Sequence, residues 1–219
     1  MKSMILIQHC QSHHHVNPEA FFWPDSANGL TSLGRRQAAC LASRLHDELG
    51  QTSCRLYASD MTRAFETADI IGGQIGQTPS RIPELREWNG RFAVERTEIE
   101  EERTIDESNG SLFDWRPFPE AETWREFHAR VSIWLDELAT QDDPTDVPIL
   151  VMHGGTKINI ILWWLGLALD ALSERAPFAG MPGSITVLNR NRSDNPVVDR
   201  LNDAAHLYSC GIARGLLSS

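Results

Sequence analysis

The sequence predicts an α/β fold in which a mostly parallel, doubly wound sheet is flanked by helices. Three short apolar runs have the length of buried strands: residues 4–7, 54–59 and 148–152. Stretches with helical spacing of apolar residues separate them, and this alternation is typical of parallel strands joined by right-handed crossovers. The 219 residues are expected to form a single domain, 1–219.

The first two helices are predicted from apolar residues that recur every three or four positions. One begins near residues 30–34 and ends at Gly50, and its apolar face comprises Ala38, Leu41, Ala42, Leu45 and Leu49. The other follows the 54–59 strand, carries Ala64, Ala68, Ile70 and Ile71, and is expected to end among Gly72, Gly73 and Gly76.

The second half of the chain continues the same pattern. A long amphipathic helix is predicted from about Glu122 to Gln141, and an apolar, buried helix over 156–166. Two closing strands, 184–188 and 197–201, are expected to run antiparallel to the rest.

Composition narrows the classes of partner and compartment. A net charge of −10 and a pI near 5.2 argue against nucleic acid or an anionic membrane as the main partner. The most apolar stretch, 158–172, is too short and too polar to span a bilayer. We therefore expect a cytoplasmic protein whose four cysteines, without CxxC spacing, are free thiols: Cys10, Cys40, Cys54 and Cys210.

Two of the predicted strands end directly in a histidine. His9 follows the first strand and His153 follows the strand over 148–152, while Arg63 comes shortly after the strand between them. Because the carboxyl ends of parallel strands meet at one edge of a sheet, these side chains should lie close together. Such a group of cationic side chains, with helix N-termini nearby, predicts a site for a phosphoryl dianion.

Seven segments, taken in order, resemble the histidine phosphatase superfamily, the phosphoglycerate-mutase-like proteins. The resemblance covers nearly the whole chain and lies in residues 5–12, 30–38, 57–68, 85–90, 122–130, 151–156 and 201–207. The first of these is similar to the family's Arg-His-Gly motif but reads Gln8-His9-Cys10, whereas Val151-Met152-His153-Gly154-Gly155-Thr156 matches the second-histidine motif closely. The resemblance implies a three-layer α/β/α sandwich.

It also implies the hydrolysis of a small-molecule phosphomonoester by four catalytic residues. His9 would become a phosphohistidine, Arg63 and His153 would stabilise the phosphoryl oxygens, and Glu87 would donate a proton to the leaving oxygen. The expected substrate-binding residues are Gln8, Cys10, Ser12, Asn17 and Gly154. No metal or other cofactor is implied, because fixed cations neutralise the phosphoryl charge. The sequence indicates no oligomeric state.

Gln8 and Cys10 replace an arginine and a glycine of the motif, which leaves the strength of catalysis open. Loss of one positioned donor typically costs about 10²–10³ in rate. An alternative function is therefore a weakened or inactive module on the same fold that binds a phosphate ligand or a protein. Protonated histidines of the His13–His15 triplet could supply the missing charge.

Two further features have alternative interpretations. His9, Cys10 and the triplet offer enough nitrogen and sulfur ligands for zinc or nickel, although adjacent histidines cannot all point one way. Residues 92–122 hold ten acidic and three basic residues, −7 of the chain's net charge. They form either a solvated surface or an acidic insertion over the active site. This acidity favours a phosphatase over a mutase that must bind two phosphates.

Overall fold

Six strands form one mixed sheet in the order β3-β2-β4-β1-β5-β6. The computed structural model describes residues 1–17, 19–20, 23–89, 112–116, 119–141, 146–171 and 180–212. The strands are β1 (Ser3–Gln8), β2 (Cys54–Ala58), β3 (Ser80–Arg81), β4 (Val147–Met152), β5 (Ile185–Arg190) and β6 (Pro196–Asp203). The α-helices are α1 (Ser32–Leu49), α2 (Thr62–Ile75), α3 (Trp124–Gln141), α4 (Gly154–Leu165) and α5 (Ala205–Ser209).

The pairing of the strands confirms the predicted mostly parallel sheet. β1, β2 and β3 are joined by parallel pairs, with β4 lying between β1 and β2. β5 pairs antiparallel with β1, and β6 with β5, as expected for the closing strands. The two-residue strand β3 lies at the edge and was not predicted, because two residues carry no periodic pattern.

Alternating residues of the strands supply two cores, one on each face of the sheet. Ile7 and Val151 pack on one face with α1 and α2, where Leu41 and Ile71 are fully buried. Leu6 and Leu150 point to the other face and pack with α3 and α4. Two helical layers therefore enclose the sheet, as the resemblance implied.

The ends of α2 and α3 are set by local capping interactions rather than by the spacing of apolar residues. α3 begins at Trp124 because Thr123 and Glu126 form a capping box: Thr123 N–H donates to Glu126 Oε2 at 2.8 Å and Glu126 N–H to Thr123 Oγ1 at 3.1 Å. α2 continues through Gly72 and Gly73 and ends at Gly76, whose φ of 71° is the left-handed conformation.

The expectation of four free thiols is wrong for one pair. Cys40 on α1 and Cys210, directly after α5, form a disulfide across 170 residues of sequence. Cys10 and Cys54 are free, as predicted, and both are buried. No local spacing could reveal the bond, because only the packing of α5 on α1 brings the two sulfurs together. The cytoplasmic location stays a prediction, and the disulfide weakens it, since such bonds persist mainly in oxidising compartments.

Two further predictions concern the surface of the molecule. Among the described residues, no helix is long and apolar enough to cross a membrane. Most of the acidic segment 92–122 lies outside the described residues, so its position relative to the site stays a prediction.

Candidate active site

His9 presents an unprotonated ring nitrogen at the carboxyl end of β1. Its Nδ1 lies 2.8 Å from the carbonyl oxygen of Cys10, which can only accept, so Nδ1 carries the proton. The opposite nitrogen, Nε2, accepts a hydrogen bond from Arg63 Nε at 3.2 Å. The ring is 3% exposed, and the backbone N–H of His9 donates to Met152 on β4 at 2.8 Å. Together these bonds fix the tautomer and the direction of Nε2.

The surroundings of His9 keep its ring neutral. Burial lowers the pKa of His9 well below 6.5, and the positive charge of Arg63 lowers it further, followed by the neighbouring histidines His153, His15 and His14. A neutral imidazole with its lone pair at Nε2 can act as a nucleophile at ordinary pH.

Arg63 lies in the first turn of α2, with its guanidinium directed back at the end of β1. Asp25 lies 3.7 Å from its Nη1, and this carboxylate also accepts bonds of 2.8 Å from the N–H and the hydroxyl of Thr62. Arg63 is 7% exposed overall, so its charge acts in a poorly solvated environment. The predicted cation therefore lies beside the predicted nucleophile.

His153 immediately precedes α4 and faces His9. The centres of the two rings are 5.1 Å apart in an edge-to-face arrangement. His153 Nε2 lies 2.9 Å from the hydroxyl of Ser59, which follows β2. Both groups are buried, at 1% and 0% exposed. Ser59 was not predicted as a site residue, although its position at a strand end could have indicated it.

Glu87 meets the same edge of the sheet from a different loop. Its Oε2 accepts from the backbone N–H of Gly155 at 2.9 Å, and its Oε1 from that of Trp88 at 3.0 Å. The preceding residues are anchored by Arg130 on α3, which donates to the carbonyl oxygen of Glu84 at 2.6 Å. The hydroxyl of Thr156 on α4 also donates to the Arg86 carbonyl at 3.2 Å. Two helices thus fix this carboxylate against the first turn of α4.

Gln8 has a neighbour that the sequence analysis missed. Lys157 Nζ donates to Gln8 Oε1 at 3.3 Å, and the two side chains are 1% and 8% exposed. Burial lowers the pKa of Lys157 to about 8. A single lysine within a helix predicted to be buried and apolar could have indicated a special role.

The remaining predicted binding residues have mixed placements. Gly154 opens α4, next to His153. The Ser12 hydroxyl is buried and lies 2.8 Å from His14 Nδ1. Cys10 points into the core beside α1 and α2, where burial raises the pKa of its thiol to about 12. Any role of Cys10 would therefore involve its backbone.

Asn17 lies apart from the nucleophile. Its Oδ1 accepts from the backbone N–H of Glu19 at 3.0 Å, and no described contact joins Asn17 to His9.

Part of the histidine triplet borders the site and forms, with His9, a group that could hold a metal ion. His14 and His15 have ring nitrogens that lie, with one of His9, within 4.8 Å of one another. However, Arg63 already donates to His9 Nε2, and the backbone N–H of Ser12 donates to His15 Nδ1 at 3.1 Å. A bound cation would also face the guanidinium. The thiol of Cys10 points into the core, away from these rings. The full set of metal ligands predicted from the sequence, which included Cys10, is therefore not brought together.

Three tryptophan rings lie near Glu87. Trp88 contacts Trp124 edge-to-face with ring centres 5.6 Å apart, and Trp115 lies 6.3 Å from Trp88. A Cβ placed on Gly155 would lie 3.1 Å from the Trp124 ring. A ligand group bound next to Glu87 would therefore contact the tryptophan rings.

Known proteins resemble this chain in sequence. Residues 4–204 match the family model of the histidine phosphatase superfamily (branch 1). A probable phosphoglycerate mutase of Yersinia pestis is 30% identical over 156 residues, which are 67% of each chain. The mitochondrial serine/threonine-protein phosphatase Pgam5 of Drosophila grimshawi is 46% identical over 66 residues, 29% of this chain and 22% of that protein.

Solved structures share the fold at low sequence identity. A mycobacterial glucosyl-3-phosphoglycerate phosphatase, solved with VO3, superposes with a TM-score of 0.69 at 21% identity, covering 92% of this chain and 99% of that one. A phosphoserine phosphatase of Entamoeba histolytica gives 0.67 at 18% identity, covering 94% and 100%. With the family match over nearly its whole length, this chain belongs to the histidine phosphatase superfamily.

Proposed function

We propose that this chain hydrolyses small-molecule phosphomonoesters through a phosphohistidine on His9. The observation that carries the proposal is the pair of hydrogen bonds on the His9 ring. The proton is held at Nδ1 by the Cys10 carbonyl, and Nε2 faces Arg63 at 3.2 Å. A nucleophile with a fixed tautomer next to a fixed cation is what attack on a phosphoryl dianion requires.

In the first step, Arg63 transfers its hydrogen bond from His9 Nε2 to a phosphoryl oxygen. The freed lone pair of Nε2 then attacks phosphorus, and the bond to the ester oxygen breaks. Arg63, the backbone N–H groups of α4 and His153 stabilise the charge on the phosphoryl oxygens. Glu87 transfers a proton to the departing alkoxide, so the product leaves as a neutral alcohol. Dividing one displacement into two in this way lowers each barrier.

In the second step, water attacks the phosphohistidine. Glu87, now a carboxylate, accepts a proton from that water as its oxygen bonds to phosphorus. The nitrogen–phosphorus bond breaks, its electron pair returns to His9 Nε2, and inorganic phosphate is released. Every charge in this cycle is neutralised by side chains or backbone groups of the chain, so the scheme uses no cofactor.

The leaving group of the substrate is proposed to be neutral or cationic. It departs next to Glu87, where the rings of Trp88 and Trp124 supply apolar and π surface. The chain also carries a net charge of −10, which disfavours a second phosphate. We therefore favour a phosphatase over the mutase activity named for the Yersinia relative.

The test is a panel of phosphometabolites with p-nitrophenyl phosphate as a generic substrate, assayed from pH 5 to 8. The wild type is expected to turn over, and His9→Ala to be inactive. His46→Ala is a matched control, because His46 is exposed on α1 and remote from the site. Labelled substrate should yield an acid-labile, base-stable phosphoenzyme in the wild type and in His46→Ala but not in His9→Ala.

The alternative function is a binding module without turnover, and Gln8 in place of arginine favours it. It predicts phosphate binding but neither product nor trapped intermediate with any substrate of the panel. Conversion of one phosphoglycerate isomer into another, without release of phosphate, would instead indicate a mutase.

A further inference from the structure

Lys157 carries a buried positive charge that no described acidic group neutralises. It is 1% exposed, and among the described residues its ammonium group has one polar partner, the neutral oxygen Gln8 Oε1 at 3.3 Å. An isolated buried ammonium is costly, since its lost hydration is repaid only by a counter-charge. A pKa of about 8 means that most of the population is still protonated at pH 7. A phosphoryl ligand would supply a counter-charge of the kind that the described residues lack.

The position of Lys157 indicates which ligand this is. It lies in the first turn of α4, where its backbone N–H donates to the carbonyl oxygen of His153 at 3.0 Å. Its partner Gln8 directly precedes His9 at the end of β1. The Lys157 side chain thus reaches the residue before the nucleophile, and its backbone is bonded to the second histidine.

The bond from Lys157 also determines how the Gln8 amide is oriented. Because an ammonium can only donate, Oε1 must face Lys157, and the Nε2 amide group then forms the other end. Gly180 leaves the room for this arrangement: a Cβ there would lie 1.8 Å from Oε1 and 2.8 Å from Lys157 Nζ. Gln8 Nε2 makes no hydrogen bond with the described residues. The carboxamide borders Gly154, the first residue of α4: Nε2 and Oε1 lie 3.9 and 4.0 Å from where a Cβ would stand.

We propose that Lys157 is a positioning residue for the phosphoryl group, acting through Gln8. Lys157 holds and polarises the Gln8 carboxamide so that Nε2 donates to a phosphoryl oxygen, and the arriving dianion neutralises the buried charge. This inference rests on the proposed function. An arginine before the nucleophile would supply both N–H donors and a positive charge. Here Gln8 supplies the donor and Lys157 supplies the charge.

The experiment measures the dissociation constant of inorganic phosphate, by calorimetry and by competitive inhibition, together with kcat and KM. Lys157→Met is expected to weaken phosphate binding about 10- to 100-fold, the range of a charge-assisted hydrogen bond. Lys2→Met is the matched control. Lys2 is the other lysine of the chain and is exposed, and its replacement removes the same unit of charge. It should bind phosphate like the wild type.

A double-mutant cycle tests whether Lys157 acts through Gln8. If it does, Gln8→Leu combined with Lys157→Met should bind phosphate no more weakly than the more severe single variant. Fully additive losses would overturn the proposed route through Gln8. Unchanged phosphate binding by a folded Lys157→Met variant would overturn the inference as a whole.

Further variants distinguish a loss of binding from a loss of folding. They also distinguish a failure of this inference from a failure of the proposed function. Should Lys157→Met not fold, Lys157→Gln replaces it, with the same expected loss of affinity and the same overturning result. Lys157→Arg, which keeps the charge, should retain most of the affinity. A wild type that hydrolyses phosphomonoesters while both neutral variants bind phosphate normally would reject the inference alone. A wild type that neither binds nor hydrolyses would reject both.

Discussion

Glu87 and Gly155 are in direct contact, and this contact fixes the carboxylate of the site. The backbone N–H of Gly155 donates to Glu87 Oε2 at 2.9 Å. A Cβ on Gly155 would lie only 2.3 Å from Glu87 Oε1, well inside van der Waals contact. The second glycine after His153 therefore provides space for an acidic side chain from another loop.

Gly155→Ala is expected to lower kcat about 10²-fold, because the new methyl group displaces Glu87 from the position of a proton donor. Glu87→Gln should cause a loss of similar size. The control is Gly73→Ala on α2, where a Cβ meets nothing within 4 Å. That change should leave kcat unchanged and stabilise the helix by about 0.5–1 kcal/mol. Normal turnover by a folded Gly155→Ala variant would contradict the role of this contact.

Ser59→Ala should reduce kcat about tenfold, with a loss of stability of about 1 kcal/mol because a buried hydroxyl is removed. The Ser59 hydroxyl is 2.9 Å from His153 Nε2 and holds the ring opposite His9, and one such bond is worth roughly 0.5–1.5 kcal/mol. Ser209→Ala, on the surface helix α5, serves as the control in the same assay. Equal kcat values for the two variants would show that Ser59 does not orient the ring.

Arg63→Met is expected to reduce kcat/KM for a phosphomonoester about 10²–10³-fold, since it removes a cation aimed at the reacting centre. Its Nε donates to His9 Nε2 at 3.2 Å, so Arg63→Lys should restore little of the loss. Arg35→Met provides the control because its guanidinium is mostly exposed, although it pairs with Glu66. A reduction in kcat/KM for Arg63→Met no larger than that of the control would argue against a catalytic role for this arginine.

The disulfide between Cys40 and Cys210 predicts a redox-dependent stability. Replacing both cysteines by serine should lower the free energy of unfolding by about 2–5 kcal/mol under oxidising conditions. In excess reductant, the wild type should lose the same amount and match the variant. Alkylation of the denatured, unreduced protein is the direct check: modification of all four cysteines would show that the bond does not form.

Acidification below neutral pH should destabilise the fold. Burial lowers the pKa values of His9, His128 and His206, so these rings take up protons more readily in the unfolded chain. The unfolded state then binds more protons as the pH falls through about 6.5, and stability decreases with it. Urea titrations at pH 7.5 and 5.5 test this, and His128→Asn should show a smaller difference. A free energy of unfolding that is equal at both pH values would contradict the prediction.

Much of the site could be predicted because it depends on a general property of parallel sheets. His9 and His153 follow two apolar strands directly, and their strand ends must meet if the strands pair. β1 and β4 do pair in parallel, with Gln8 opposite Met152. Arg63 is brought in by the same rule, since β2 also pairs with β4. The pairing and burial of the strands therefore determine the positions of His9, Arg63 and His153.

The remainder depended on contacts between side chains that have no fixed spacing in sequence. Glu87 could be placed by resemblance alone, because it approaches from a loop that Arg130 and Thr156 anchor. The Cys40–Cys210 bond needed the docking of α5 on α1. The distinction between a lysine that faces solvent and one that is buried is likewise decided by packing.

The sequence by itself determined the α/β class, the strand-end histidines and the unusual Gln8-His9-Cys10 order, because local patterns of burial and charge encode them. Tertiary structure alone decided what compensates for that order. Lys157 meets Gln8 across 149 residues of sequence, and its charge becomes significant there only because the surrounding core excludes water.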